Sequence, residues 1–344
     1  MPETPVSPAL MERLRAMPKA EIHVHIEGAT SPDTFYRIAQ RNQVKLPAQT
    51  LEEWRTFFAF QNFPHFIRVY QTAVGCLQDP DDYALLIENF YQRQAEQNIL
   101  YTEAFLSASF LTQKFGDEAI LDAIARGVAA GETKYGVRVR LIPDIAREDP
   151  ASQTRVLQLA LKGRERGLFV GLGIGGMEAG YPPQLFAATF SQARRQGLRV
   201  VAHAGEAAGP DSIWGAINSL HAERIGHGIR CLEDPGLVGY LRRTQLPLEV
   251  SPRSNYRLGV VAAAAPHPLR RMVDSGLFCT VNSDDPAMFA TSLTAEYALL
   301  ASQGFSWPEL WRLNRNALEA AFLEETEKAG YLNHWDRFFK KQEL

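Results

Sequence analysis

Two histidines one residue apart, His23 and His25, begin a series of reactive side chains that runs the length of the chain: Glu103, His203, Glu206, His227, Asp284 and Asp285. On a β-strand, side chains two apart point to the same face, so the two imidazoles of HVH can enter one cleft together. Neutral imidazoles that converge on a point form a metal site. A third imidazole from His203 and the carboxylate of Asp284 would complete a three-nitrogen, one-oxygen set suited to one Zn2+ ion, with room for water. Bound metal lowers the pKa of water, but proton transfer still needs side chains. Glu206, in HAGE, lies close enough after His203 to face the same pocket and suits a general acid and base. His227, between the glycines of RIGHG, can orient or deprotonate the water. Taken singly, each has a plainer reading: a loop carboxylate capping a helix for Glu206, a hydrogen-bonded core imidazole for His227.

For these side chains to meet, the chain must bring distant segments to one place. Short apolar runs over 20–25, 99–105, 137–142, 168–173, 198–203, 224–227, 246–250 and 278–282 read as strands. Segments with helical periodicity separate them, over 31–42, 81–97, 117–135, 151–166, 184–196, 211–220, 235–243 and 267–275. Continuously apolar strands alternating with helices predict a parallel sheet covered by helices, and eight such units predict an α/β protein of the (β/α)8 (TIM) barrel class. The reactive residues fall at or just after predicted strand ends, where barrels of this class carry their sites. A site built from both ends of the chain points to a single domain over residues 1–344. The excess length is assigned to helices between strands 1 and 2 and at the C-terminus. The first of these additions contains Trp54, Phe57, Phe58, Phe60, Phe63 and Phe66, read as a helical pair with its own small core or as a lid over the site.

Composition excludes several classes. Lys plus Arg is 36 and Asp plus Glu is 39, a net charge of −3 without like-charge blocks, so neither nucleic acid nor an anionic membrane is an expected partner. The cysteines Cys76, Cys231 and Cys279 are too far apart for a CxxC zinc knuckle or a disulfide framework, which argues for a reducing, cytoplasmic setting. No apolar run approaches the roughly 18 residues of a membrane span. The predicted middle strand, in LFVGLGIGG, has no lysine to bridge a metal pair, which favours a mononuclear centre and counts against phosphoester hydrolysis. A barrel that keeps its metal without turnover is the alternative outside the hydrolases. The sequence leaves the oligomeric state open.

The segments HVHIEG, HAGE, RIGHG, SPRSN and NSDDP, in this order from about Lys19 to the C-terminal helices, resemble the adenosine deaminase family of the amidohydrolase superfamily. The resemblance implies zinc on His23, His25, His203 and Asp284, with Glu206 protonating a purine N1 and His227 handling the attacking hydroxide. It further implies that Asp285 contacts N7 and that the backbone N–H of Gly176 meets N3. The implied reaction is hydrolytic deamination of a 6-aminopurine nucleoside to the 6-oxopurine and ammonia. Three positions depart from the family pattern. Glu27 stands where an aspartate usually meets the ribose hydroxyl; the adenine-specific members carry glutamate there. Gly173 and Met177 replace two aspartates of a DLAGDE-like run, leaving only Glu178. SPRSN replaces CPxSN, with Ser251 for cysteine and Arg253 added. The GGMEAG stretch looks closest to the bacterial subgroup acting on aminodeoxyfutalosine, a 5'-extended adenosine analogue whose carboxylate Arg253 or Arg147 would receive. The expected substrate is therefore adenosine or such a 5'-modified adenosine, with adenine as the alternative.

Overall fold

The computed structural model describes residues 6–342, so both ends of the predicted 1–344 span lie outside the described residues. Eight strands follow one another in space in chain order: β1 (Lys19–His25), β2 (Ile99–Leu106), β3 (Arg138–Ala146), β4 (Gly171–Gly175), β5 (Arg199–Ala204), β6 (Arg224–His227), β7 (Leu248–Val250) and β8 (Cys279–Val281). All neighbouring pairs are parallel. The ring closes where the segment after β8 meets β1: the N–H of His25 donates to the Asp284 carbonyl at 2.8 Å, and that of Asp284 to the His23 carbonyl at 3.2 Å. The predicted (β/α)8 barrel is the fold. Near-continuous burial of β1, β2 and β4 reflects a sheet with helices outside and packed side chains within.

Helix starts are written in the sequence. Ser31, Thr50, Asp79 and Ser306 supply N-cap oxygens, Thr50, Asp79 and Ser306 within full capping boxes, and proline occupies the first turn after Ser31, Asp79 and Ser306. Between β1 and β2 the aromatic stretch forms the expected helical pair, Leu51–Phe58 and Phe63–Gly75, flanked by the expected helices Pro32–Arg41 and Pro80–Glu96 and preceded by a short turn of helix, Ile26–Ala29. Trp54 and Phe58 are buried there, and Trp54 Nε1 donates to the Pro32 carbonyl at 2.8 Å. Phe66 stacks on Phe289 with ring centroids 5.4 Å apart, joining this insertion to the loop after β8.

The helix Trp307–Ala320 packs against β1 and β8. Asn314 accepts from the N–H of Ala20 and donates to the Pro18 carbonyl, while Asn316 donates to the Cys279 carbonyl. Two buried amides thus tie this helix to β1 and β8, the seam of the ring. No helix among the described residues is long and apolar enough to cross a membrane.

Candidate active site

The strand ends bring His23, His25, His203 and Asp284 to one point. His25 Nε2 and His203 Nε2 are 3.2 Å apart, and Asp284 Oδ1 lies 3.6 Å from His23 Nε2 and 3.4 Å from His25 Nε2. Partners outside the cluster set two of the tautomers. His23 Nδ1 sits 2.8 Å from the Glu249 carboxylate and His203 Nδ1 2.9 Å from the Ile174 carbonyl, so each ring keeps an Nδ1 proton outward and directs Nε2 into the cluster. His23 Nε2 is buried and has no hydrogen-bond partner.

The electrostatics also suit a cation. Burial opposes charge on His23, yet the carboxylates of Asp284 and Glu249 outweigh it and push its pKa up to about 10. A site that draws in a proton so strongly has negative potential to offer a metal ion. Burial lowers His25 to about 3 and His203 well below its usual value, leaving both neutral and able to ligate. Asp284 is held well below the usual carboxylate range despite its burial, because His23 and the other imidazoles surround it.

His227 approaches the same cluster in a different state. The N–H of Leu269 donates to His267 Nδ1, His267 Nε2 then donates to Asn255 Oδ1, and Asn255 Nδ2 faces His227 Nδ1 at 3.4 Å. This chain places the His227 proton on Nε2, which points toward Glu206 Oε1 at 3.7 Å and Asp284 Oδ2 at 3.9 Å. Burial lowers its pKa to about 4, so the ring is neutral and presents a donor. Both His227 and Asp284 have positive φ, 62° and 63°, a conformation uncommon for side chains with a Cβ and concentrated at functional positions.

Glu206 sits on a loop held by one carboxylate: Glu178 accepts from the N–H groups of Gly205, Glu206 and Ala207 at 2.9–3.1 Å. Burial, then Asp284 and Glu178, raises the Glu206 pKa well above normal, which favours its protonated form. Asp285 is likewise raised by burial and by Asp284, and its Oδ1 has no partner. Gly28 faces that carboxyl so closely that a Cβ there would overlap it.

His25, His203, Glu206, His227, Asp284 and Asp285 line a cavity of about 460 Å³, whose wall includes Tyr70, Ser107, Asp144, Gly176, Met177 and Leu258. Gly176 has φ +83° and lies against Glu148, which accepts from the N–H of Met177.

Four expectations are corrected. Glu103 is not at the site: it lies mid-strand on β2, inside the barrel, bound to Arg224, the Tyr101 hydroxyl and the N–H of Phe322. Glu27 stands behind the wall and not in it. Its carboxylate accepts from the Ser107 N–H at 2.9 Å and the Tyr83 hydroxyl at 2.7 Å, with the Tyr70 hydroxyl at 3.5 Å. Arg147 is fully buried and donates to the carbonyls of Tyr181 and His203, so it is committed to the scaffold. Arg253 is absent from the described residues lining the cavity, and its N–H donates to Glu296.

Sequence reasoning missed Glu249, Asn255, His267 and Asp144. A glutamate in the apolar strand LEV and the Asn of SPRSN were the available signals. Asp144 was hidden by Pro143, which ended the predicted strand at residue 142, whereas β3 continues to Ala146.

The model of the family described as adenosine deaminase matches residues 18–337. The chain belongs to the adenosine deaminase family. With it comes the chemistry of a hydrolytic deaminase acting on C–N bonds. Among the similar proteins, the adenine deaminase of Trichlorobacter lovleyi is 36% identical over 340 residues, covering 97% of this chain and 96% of that one. The adenine deaminase of Cupriavidus taiwanensis is 37% identical over 339 residues, covering 97% and 95%. The crystal structure of adenine deaminase from Arthrobacter aurescens matches with a TM-score of 0.89 at 33% identity, covering 94% of this chain and 99% of that one. An amidohydrolase from Burkholderia ambifaria with bound zinc matches at 0.91 and 26% identity, covering 99% and 95%.

Proposed function

We propose that this enzyme hydrolyses the exocyclic C–N bond of adenine, with one zinc ion held by His23, His25, His203 and Asp284. The inward-facing Nε2 atoms of His23 and His203, fixed by outward hydrogen bonds, support that ligand set. His227 is left out of it because its Nε2 carries the proton. When bound, zinc acts as a Lewis acid that makes water nucleophilic near neutral pH and stabilises developing negative charge.

The chain's own residues account for the rest. Protonated Glu206 delivers its proton to N1 as oxygen bonds to C6, which makes C6 tetrahedral. His227 Nε2–H donates to the attacking oxygen, holding it on its side of the ring and stabilising its charge. Asp285, kept protonated by burial and by Asp284, donates to N7, an atom that only accepts. The Gly176 N–H meets N3. The C6–N bond then breaks; of the two protons of water, one restores Glu206 and the other leaves with the amine as ammonia.

The observation that carries adenine over the carboxylate-bearing analogue is the charge of the cavity. Its described lining includes the carboxylates of Glu148, Asp149 and Glu178 beyond the catalytic groups and no lysine or arginine. A substrate carboxylate would meet repulsion there. The adenine deaminase relatives point the same way, revising the sequence-based preference for a nucleoside. Glu27 then acts indirectly, by bracing Ser107, Tyr83 and Tyr70 behind the cavity. One feature favours a second substrate: about 460 Å³ exceeds what a bare purine fills, so an uncharged nucleoside such as adenosine is the runner-up. Steady-state ammonia release from adenine, adenosine, methylthioadenosine and aminodeoxyfutalosine tests both. The expected result is the highest kcat/KM for adenine; a higher value for a nucleoside overturns the substrate, and no release from any of them overturns the reaction.

A further inference from the structure

Asp144 has no part in the mechanism above, yet its carboxyl is built into the cavity wall. It stands near the end of β3, in register with Gly173 on β4, and is buried with Oδ1 lacking any partner. Two glycines make its place. A Cβ on Gly173 would overlap Oδ1, and a Cβ on Gly175 would sit 2.5 Å from Oδ2. The same point at Gly175 is 3.3 Å from the His203 ring, which puts Asp144 beside the metal cluster. Ordinary side chains at 173 and 175 would fill the space this carboxyl occupies. Gly173 is, moreover, a position where the family pattern carries an aspartate of its own.

Its location specifies what it can touch. His227 and Glu206 approach from β6 and the loop after β5, whereas Asp144 approaches from β3 on the opposite flank of His203. Attack at C6 places the incoming oxygen on one face of the ring and displaces the amine toward the other. With oxygen held on the His227 side, the amine turns toward β3 and β4. An amine has hydrogens to donate and Asp144 Oδ1 is an acceptor with nothing to accept. Burial pushes the Asp144 pKa well up, but a carboxylic acid still keeps a carbonyl oxygen as acceptor.

We propose that Asp144 is a substrate-recognition residue that accepts a hydrogen bond from the exocyclic amine of the bound 6-aminopurine. The assignment rests on the function proposed above. It makes the site selective for a 6-amino group over hydrogen or oxygen at C6, because a buried acceptor left unpaired penalises ligands without the donor.

Calorimetric titration tests it in the zinc-loaded Glu206→Gln protein, where slow turnover lets adenine persist. The probes are adenine and purine, which lacks the amine. The Glu206→Gln protein is expected to bind adenine roughly tenfold or more tighter than purine. Adding Asp144→Ala is expected to remove that preference while purine affinity stays within about twofold and zinc content is unchanged. Asp144→Asn, which keeps a carbonyl oxygen and the side-chain volume, should retain part of the preference and guards against a folding artefact. Equal losses for adenine and purine on Asp144→Ala, or no loss for either, overturn the assignment and leave the proposed function standing. Failure of the Glu206→Gln protein to bind adenine at all refutes the function reading and this assignment together.

Discussion

Replacing Arg224 by methionine should both destabilise the barrel and loosen its metal, although the guanidinium never reaches the cavity. Arg224 is buried between two carboxylates, with Nη1 2.5 Å from Glu103 and Nε 2.6 Å from Glu249. It also lies over the Phe322 ring at 3.7 Å and donates to the Ala320 carbonyl. Methionine fills comparable volume but leaves both carboxylates without a cation. Breaking a buried pair in this way costs about 3–5 kcal/mol. At about 2.1 cal/mol/K per residue, 344 residues give an unfolding entropy near 0.7 kcal/mol/K, so Tm should fall by about 4–7 °C. Glu103 keeps the Tyr101 hydroxyl and the Phe322 N–H, whereas Glu249 keeps only His23 among its bonds through side chains. Glu249 therefore bears the loss, and it is the residue that sets the His23 tautomer. Disturbing such a partner typically costs about 10–100-fold in metal affinity. Scanning calorimetry of the zinc-loaded protein and competition with a chromogenic chelator measure the two effects. An unchanged Tm refutes the buried-charge argument. A lowered Tm with unchanged zinc affinity refutes the link from Arg224 through Glu249 to His23. Arg224→Met combined with Glu103→Gln and Glu249→Gln should recover most of the Tm, since the uncompensated charges are then gone.

Other perturbations give equally definite outcomes. Gly28→Ala should lower kcat/KM by at least about tenfold with little change in zinc content, because its methyl displaces the Asp285 carboxyl; kinetics equal to the parent would remove Asp285 from substrate contact. Glu206→Gln should keep zinc and lose about 10²–10⁴-fold in kcat, the usual span for a lost general acid, and retained activity would strip Glu206 of that role. Stability should fall as pH drops below about 6.5: burial holds the His267 pKa down to about 3, so between those values only the unfolded chain binds its proton. That one residue contributes a slope of up to about 1.4 kcal/mol per pH unit, and His267→Gln should flatten the acid limb of a denaturation series. Removing zinc with a chelator should abolish ammonia release and lower Tm, with both restored by added zinc; activity that survives exhaustive chelation contradicts the ligand assignment.

The barrel and the meeting of its reactive residues were legible because both are periodic. Short segments rich in apolar and β-branched residues alternate with helical ones, and His23, His203, His227 and Asp284 stand near or just after strand ends. What was illegible lies in contacts between segments far apart in the chain. Nothing local distinguishes Glu103, which neutralises Arg224 in the barrel interior, from a strand-end carboxylate at the mouth; two residues of strand offset separate those fates. Glu27 shows the same ambiguity, for its neighbours Tyr70, Tyr83 and Ser107 come from three other segments. Asp144 adds a different obstacle. Its place depends on what Gly173 and Gly175 lack, and a missing side chain leaves no mark except when set against the opposite strand. His23 and His203, proposed as ligands, and the donor His227 are the same residue type near the ends of three strands. Only their outer partners, a carboxylate and a carbonyl in one case and an amide nitrogen in the other, divide ligand from donor, so the chemistry of this site is decided one layer behind the residues that perform it.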